Sequence, residues 1–194
     1  MSQSEFWERG YVVARDFLDP AQLIFVRTAM EMSHRTGRME LATTVKILPQ
    51  GAMNEYAPIA GEAIQVQRCP AIEAIIDRKL VPAYALWRIY RQGDELRRHT
   101  DRKSCEISAS IAIHADPINQ SWPIHVKDLH GTETGVELNP GDAIIYQGCR
   151  IPHWREPLIG TAQYQLFLHY VIADGDHAGL AYDGRAGLRI AKTQ

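Results

Sequence analysis

Beyond Pro82 the chain is cut into short β-branched and aromatic runs, each closed by turn chemistry, and no other feature restricts its fold as much. The runs cover residues 84–90, 106–114, 122–128, 135–138, 143–146 and 164–172. Between them stand Gln92-Gly93-Asp94, Asp116-Pro117, His130-Gly131, Asn139-Pro140-Gly141-Asp142 and Ile159-Gly160. Closely spaced short strands with Gly, Pro, Asn and Asp at the breaks are the pattern of a sandwich or barrel. Helical patterning precedes them. The chain therefore reads as α+β, with a double-stranded β-helix (jelly roll) core and supporting N-terminal helices.

Residues 10–18 read as a short strand, after which Asp19-Pro20 starts a helix with Asp19 as N-cap and Pro20 in the first turn. Leu23, Phe25, Val26, Ala29 and Met30 recur at helical spacing, which predicts a helix to about Thr36-Gly37 with an apolar face on the core. A strand is expected over 43–48, with a turn at Pro49-Gln50-Gly51. Residues 54–64 fit helix or loop equally. A second helix is expected after Pro70, carried by Ile72, Ala74, Ile75 and Ile76 and ending near Lys79. With no linker or repeat, residues 1–194 form one domain: a support layer over 1–81 and the jelly-roll core over 82–172.

At 194 residues the chain is long enough to bury roughly 70% of its unfolded surface, so it needs no disulfide or structural metal to fold. Cys69, Cys105 and Cys149 are odd in number and lack a C-x-x-C spacing, which fits a reducing cytosol better than a disulfide framework or zinc knuckle. No stretch has the length of a membrane span, and the N-terminus lacks the pattern of a signal peptide. Cytoplasmic location is the expectation. The 21 Lys and Arg nearly balance the 23 Asp and Glu, too even a charge for a general nucleic-acid or membrane binder.

Chemistry enters at His99-Thr100-Asp101. On an extended segment His99 and Asp101 share a face while Thr100 turns away, so both can converge on one ion. Among eight histidines such a triplet arises easily by chance and needs a third partner. His153, 52 residues beyond Asp101, provides it. Two imidazoles and a carboxylate on one face of a metal, with the other positions open, are the non-heme Fe(II) oxygenase arrangement.

The run YALWRIYRQGDELRRHTDRKSCEISASIAIH resembles the Fe(II)/2-oxoglutarate-dependent dioxygenases, especially their prolyl-4-hydroxylase-like branch, in which a tyrosine-bearing strand and a Gly-containing turn lead into H-x-D. GVELNPGDAIIYQGCRIPHWREPLIGTAQYQLFLHYV resembles that family's later half, where a P-G-D turn and an apolar strand precede the distal histidine. The resemblance covers residues 82–172 and implies His99, Asp101 and His153 as ligands to Fe(II). It further implies 2-oxoglutarate and O2 as cosubstrates, with succinate and CO2 released as a substrate hydrogen is abstracted. Related halogenases replace the carboxylate ligand by a small residue, so Asp101 favours hydroxylation, desaturation or ring closure.

One departure stands out. The family usually holds the far carboxylate of 2-oxoglutarate with Arg or Lys on the strand after the distal histidine, where this chain has Ala162, Gln163 and Tyr164. If the turn is centred on Ile159-Gly160, a hairpin would set Arg155 opposite Gln163 and His153 opposite Gln165. Arg155 would share the metal-facing side with His153, so Arg155 with Gln163 is one candidate anchor; a surface pair of Arg155 with Glu156 is the other reading. Tyr90 corresponds to a family tyrosine that faces the cosubstrate. Arg88, of the same parity, is a rival anchor, a holder of a substrate carboxylate, or a half-buried arginine paired with an acid. His114 faces the pocket or lies in the core, His169 points inward, and His125 and His130 read as strand and turn residues. Trp87, Trp122 and Trp154 read as packing, with Trp154 turned away from His153.

Arg88, Arg91, Arg97, Arg98, Arg102 and Lys103 face only Asp94, Glu95 and Asp101 in sequence, either a positive rim that attracts anions or a solvated turn. The leading expectation is hydroxylation of an amino acid or peptidyl residue. An oxygenase acting on another small metabolite, or a non-catalytic β-barrel that binds a metal or small ligand, is the alternative. The nucleic-acid demethylase branch carries two arginines after the distal histidine, and none occurs here between Glu156 and Asp174, so no nucleic-acid partner is expected. Residues 39–61, with Met53, Tyr56 and Pro58, form either a lid or structural cover. The tail from Asp174 is unassigned, as is the oligomeric state.

Overall fold

The computed structural model describes residues 3–42, 46–48 and 51–188. A short helix α1 (Gln3–Arg9) leads into strand β1 (Tyr11–Ala14), shorter than the run 10–18 suggests because Asp16 takes a left-handed φ of 50° and turns the chain. Helix α2 spans Pro20–Arg35. Asp19 caps it as expected: its carboxylate accepts from Gln22 N (2.8 Å), and the Gln22 side chain accepts in return from Asp19 N (3.1 Å). Val26 and Met30 are buried on its inner face, whereas Phe25 is 54% exposed and does not join the core.

Strands β2 (Glu40–Leu41) and β3 (Met53–Tyr56) follow, then helix α3 (Ile59–Ile76). Much of the strand expected at 43–48 lies outside the described residues, as do Pro49 and Gln50; residues 46–48 form a turn and loop. The second helix begins well before Pro70 and runs through it. Pro70 removes only one N–H, while Ile64, Cys69, Ile72 and Ile76 keep a continuous buried stripe at helical spacing, and that packing overrides the proline. Gly61 lets α3 approach the sheet: a Cβ there would stand 3.3 Å from Ala85 Cβ and 3.4 Å from Leu166 Cδ1.

The remaining strands are β4 (Leu80–Arg91), β5 (Leu96–His99), β6 (Ile107–Asp116), β7 (Ile124–Lys127), β8 (Glu133–Val136), β9 (Ala143–Tyr146), β10 (His153–Arg155) and β11 (Ala162–Ile172). They form two antiparallel sheets. The larger has the order β1-β9-β6-β11-β4-β3-β2 and the smaller β5-β10-β7-β8. This is the α+β jelly roll. Strand alternation divides the roles: Ala85, Trp87 and Ile89 of β4 and Leu166, Leu168 and Tyr170 of β11 join the core shared with the helices. Their neighbours Tyr84, Leu86, Arg88, Phe167 and His169 line a cavity on the opposite face.

Candidate active site

Strands β5 and β10 pair antiparallel with His99 directly opposite His153, which brings the imidazole centroids to 4.3 Å. Asp101 lies just past the end of β5. Its convergence on the histidines owes nothing to strand parity: Asp101 N donates to Gly148 O at 2.8 Å and fixes the turn. Gly148 is required there, because a Cβ would come within 2.7 Å of Asp101 Oδ2. Thr100 does not turn away fully; it is exposed and borders the cavity mouth.

One donor atom from each of His99, Asp101 and His153 lies within 4.8 Å of the other two. Asp101 Oδ1 stands 3.4 Å from His99 Nε2 and 3.6 Å from His153 Nε2. A carbonyl can only accept, so His99 Nδ1–H donates to Arg97 O (2.7 Å) and His153 Nδ1–H to Ile151 O (3.0 Å). Both Nε2 lone pairs are thereby turned toward Asp101, as a metal site needs. Burial pushes the His153 pKa down against the opposing pull of Asp101, which keeps this imidazole neutral. For Asp101 burial acts upward, but the neighbouring imidazoles, His99 foremost and then His153 and His169, favour the ionised carboxylate and bring its pKa down to about 2. Two imidazole nitrogens and an ionised carboxylate suit a divalent first-row ion.

The donors open into a cavity of about 480 Å³ between the sheets, bordered by Tyr84, Leu86, Arg88, Tyr146 and Phe167. The tail, unassigned from sequence, holds two of the cavity's lining residues, Arg102 and Tyr56. Asp183 accepts from Arg102 Nη1 (2.6 Å) and Nη2 (2.9 Å), and from Tyr56 OH (2.6 Å). Tyr56 and Ile47 border the cavity, so part of the 39–61 segment does cover it.

The expected hairpin does not form. Strand β10 belongs to the small sheet and β11 to the large one, so Arg155 does not pair with Gln163, nor His153 with Gln165. At the Ile159-Gly160 break the chain crosses from the small sheet to the large one instead of turning back on β10. Arg155 is nonetheless internal at 3% exposure, which rules out a surface pair with Glu156. Its guanidinium donates to Trp122 O and lies 4.6 Å from the Trp122 ring centroid, and that ring packs edge-on against Tyr90 at 4.8 Å. Gln163 pairs with Tyr90 across the sheet. These contacts gather Arg155, Tyr90 and Gln163 at the deep end of the barrel. Arg155 Nη2, Gln163 Oε1 and Gln165 Nε2 are all buried there without a hydrogen-bond partner. Each such orphan costs ~1–3 kcal/mol unless a ligand satisfies it. Burial also lowers the Arg155 pKa to about 10, still well above neutrality.

The structure decides the other expectations. Arg97, Arg98 and Arg102 pair with Glu95, Glu133 and Asp183, so the positive rim is largely neutralised by the protein's own acids. His114 meets Tyr164 edge-on at 5.4 Å and does not border the cavity. His169 faces inward, hydrogen-bonded to Ser108 Oγ at 2.9 Å. Trp154 turns outward and stacks on His125. Tyr146, packed against His153 at 4.8 Å, and Gly148 escaped the sequence reading, although both stand in the YQG segment that follows an apolar strand.

No protein-family profile matches the sequence, and no curated protein matches it. Solved structures do match. A Pseudomonas putida prolyl-4-hydroxylase superposes with a TM-score of 0.69 at 16% identity, over 86% of this chain and 95% of that one. A prolyl hydroxylase from Trichoplax adhaerens, in complex with a hypoxia-inducible-factor peptide fragment, gives 0.69 at 13% identity over 89% and 88%. A non-heme alpha-ketoglutarate-dependent carbocyclase from nogalamycin biosynthesis gives 0.73 at 11% identity over 100% and 93%. The fold is that of the Fe(II)/2-oxoglutarate oxygenases.

Proposed function

We propose that this chain is a non-heme Fe(II)- and 2-oxoglutarate-dependent oxygenase that hydroxylates an amino acid or peptidyl residue with release of succinate and CO2. The observation that carries this reading is the convergence of His99, Asp101 and His153 at the wall of a cavity large enough for such a substrate. His99 Nε2, Asp101 and His153 Nε2 would hold the iron, and their preset tautomers leave little to rearrange. When bound, iron and 2-oxoglutarate supply the oxidising power drawn from O2. The chain's own residues orient the partners: Arg155 with Gln163 would grip the far carboxylate, and Tyr90 OH would lie beside it. Leu86 and Phe167 exclude water from the cavity wall. A prolyl-4-hydroxylase, an epimerase and a carbocyclase share this fold, which supports a common hydrogen-abstracting chemistry with outcomes set by the substrate.

Anaerobic addition of Fe(II) and 2-oxoglutarate is expected to produce a weak visible charge-transfer band that Asp101→Ala abolishes. Aerobic turnover should then release succinate, and mass spectrometry of candidate amino acids and peptides should find a gain of one oxygen atom. Absence of both band and succinate would leave a ligand-binding barrel without catalysis as the surviving reading.

A further inference from the structure

Arg88 sits on β4, in the large sheet, with 8% exposure, and borders the same cavity as the three donors. Its hydrogen-bond partners are neutral: Nε donates to Asn54 Oδ1 at 3.1 Å and Nη1 to Tyr90 OH at 2.9 Å. Aromatic rings flank it, with Phe167 and Tyr90 centroids both 5.4 Å from the guanidinium carbon. No carboxylate of the described residues comes within ion-pair distance. Asp94 stands beyond ion-pair distance of Arg88, and its Oδ2 accepts from Arg91 N at 2.7 Å. A cation taken out of water without a counter-charge is costly, and the two rings and two neutral acceptors offset only part of that cost.

The second cavity guanidinium, Arg102, already has its counter-charge in Asp183. Arg155 lies deeper, against Trp122 and among the orphaned amides, where the far carboxylate of the cosubstrate would meet it. If the oxygenase reading above holds, the metal dication, Asp101, the doubly charged cosubstrate and Arg155 balance one another. Arg88 is then left over. The positive charge remains at the aromatic end of the cavity, facing the space the substrate must fill.

We infer that Arg88 is the specificity-determining residue for an anionic substrate, a free carboxylic acid with an apolar or aromatic body, seated with its carboxylate on Arg88 and its body against Phe167 and Leu86. This inference rests on the oxygenase reading and narrows it. A free acid satisfies Arg88, whereas a residue inside a peptide brings no carboxylate of its own unless it is Asp or Glu.

The test uses matched acid and amide pairs (3-phenylpropionate with 3-phenylpropionamide, octanoate with octanamide, and N-acetylphenylalanine with its amide) titrated calorimetrically into the anaerobic Fe(II)–2-oxoglutarate complex. The expected result is that at least one acid binds about tenfold or more tightly than its amide, as a charge-assisted contact dictates. Arg88→Gln should abolish that preference and Arg88→Lys should retain part of it, with cosubstrate affinity within about threefold of wild type in both. Equal binding of every acid and amide overturns the inference, as does an acid preference that survives in Arg88→Gln. A loss of 2-oxoglutarate affinity in Arg88→Gln, with the charge-transfer band intact in wild type, overturns it by making Arg88 the cosubstrate anchor. Failure of the wild-type protein to give any band refutes the oxygenase reading itself, and this inference falls with it.

Discussion

Arg155 lies inside the barrel with Nη2 unpaired, held by Trp122 O and the Trp122 ring. A carboxylate bound there would satisfy that donor through a contact worth ~1.5–3 kcal/mol. Arg155→Leu should therefore raise the apparent KM for 2-oxoglutarate at least about tenfold, since tenfold corresponds to roughly 1.4 kcal/mol. Arg155→Lys should fall between the two. Steady-state succinate release against cosubstrate concentration checks this, and an unchanged KM would take the anchor away from Arg155. The residue was legible for a partly mistaken reason. Two-residue parity with His153 correctly put Arg155 inside, but the pairing with Gln163 assumed a hairpin that the separation into two sheets removes. Parity is local and survives in either sheet; cross-strand register is a long-range property that one chain segment does not carry.

The same division holds for whole elements. The Asp19-Pro20 start of α2 and the Ala143–Tyr146 strand could be read directly, because caps and β-branched runs act through neighbouring residues. Strands β5 and β10 were not named as strands, being four and three residues long and rich in charge, with Leu96-Arg97-Arg98-His99 giving no apolar alternation. Helix α3 hid behind Pro70, since a proline signals a break and only the tertiary stripe against β4 and β11 shows that the helix continues. The reciprocal Asp19–Gln22 bonds make a sharper prediction. Asp19→Ala removes the acceptor for Gln22 N and should lower stability by about 1 kcal/mol in urea titration. Gln22→Ala, which leaves the Asp19 acceptor in place, should cost less. A destabilisation of Asp19→Ala no larger than that of Gln22→Ala would mean that tertiary packing alone holds the start of α2.

Across the whole molecule, the C-terminal segment ties the helices to both sides of the cavity, and nothing in its Gly-rich, charged composition forecasts this. Its partners lie far away in sequence: Asp183 meets Arg102 and Tyr56, and Arg185 reaches α3 and β4. Tyr182 and Asp183 both adopt left-handed backbone (φ 54° and 56°), a conformation uncommon for an aromatic residue such as Tyr182 and better tolerated by Asp183. The most deeply buried tie is Arg185 Nη2 to Glu62 Oε1 at 2.7 Å, with the two side chains 3% and 2% exposed. Nη2 also donates to Ala83 O at 2.9 Å, and Nε to Tyr182 O at 2.8 Å. Breaking a buried pair from one side costs ~3–5 kcal/mol, because the partner's charge stays buried without its cation. For a chain of this length that corresponds to a fall in Tm of roughly 6–20 °C in calorimetry. Arg185→Met should show this fall, while the double variant Glu62→Met/Arg185→Met should recover much of it, since two apolar side chains of similar volume replace the pair without leaving a charge behind. A single variant melting within about 2 °C of wild type would show that the segment rests on the barrel without stabilising it, and a double variant no better than the single would assign the loss to Ala83 and Tyr182 rather than to Glu62.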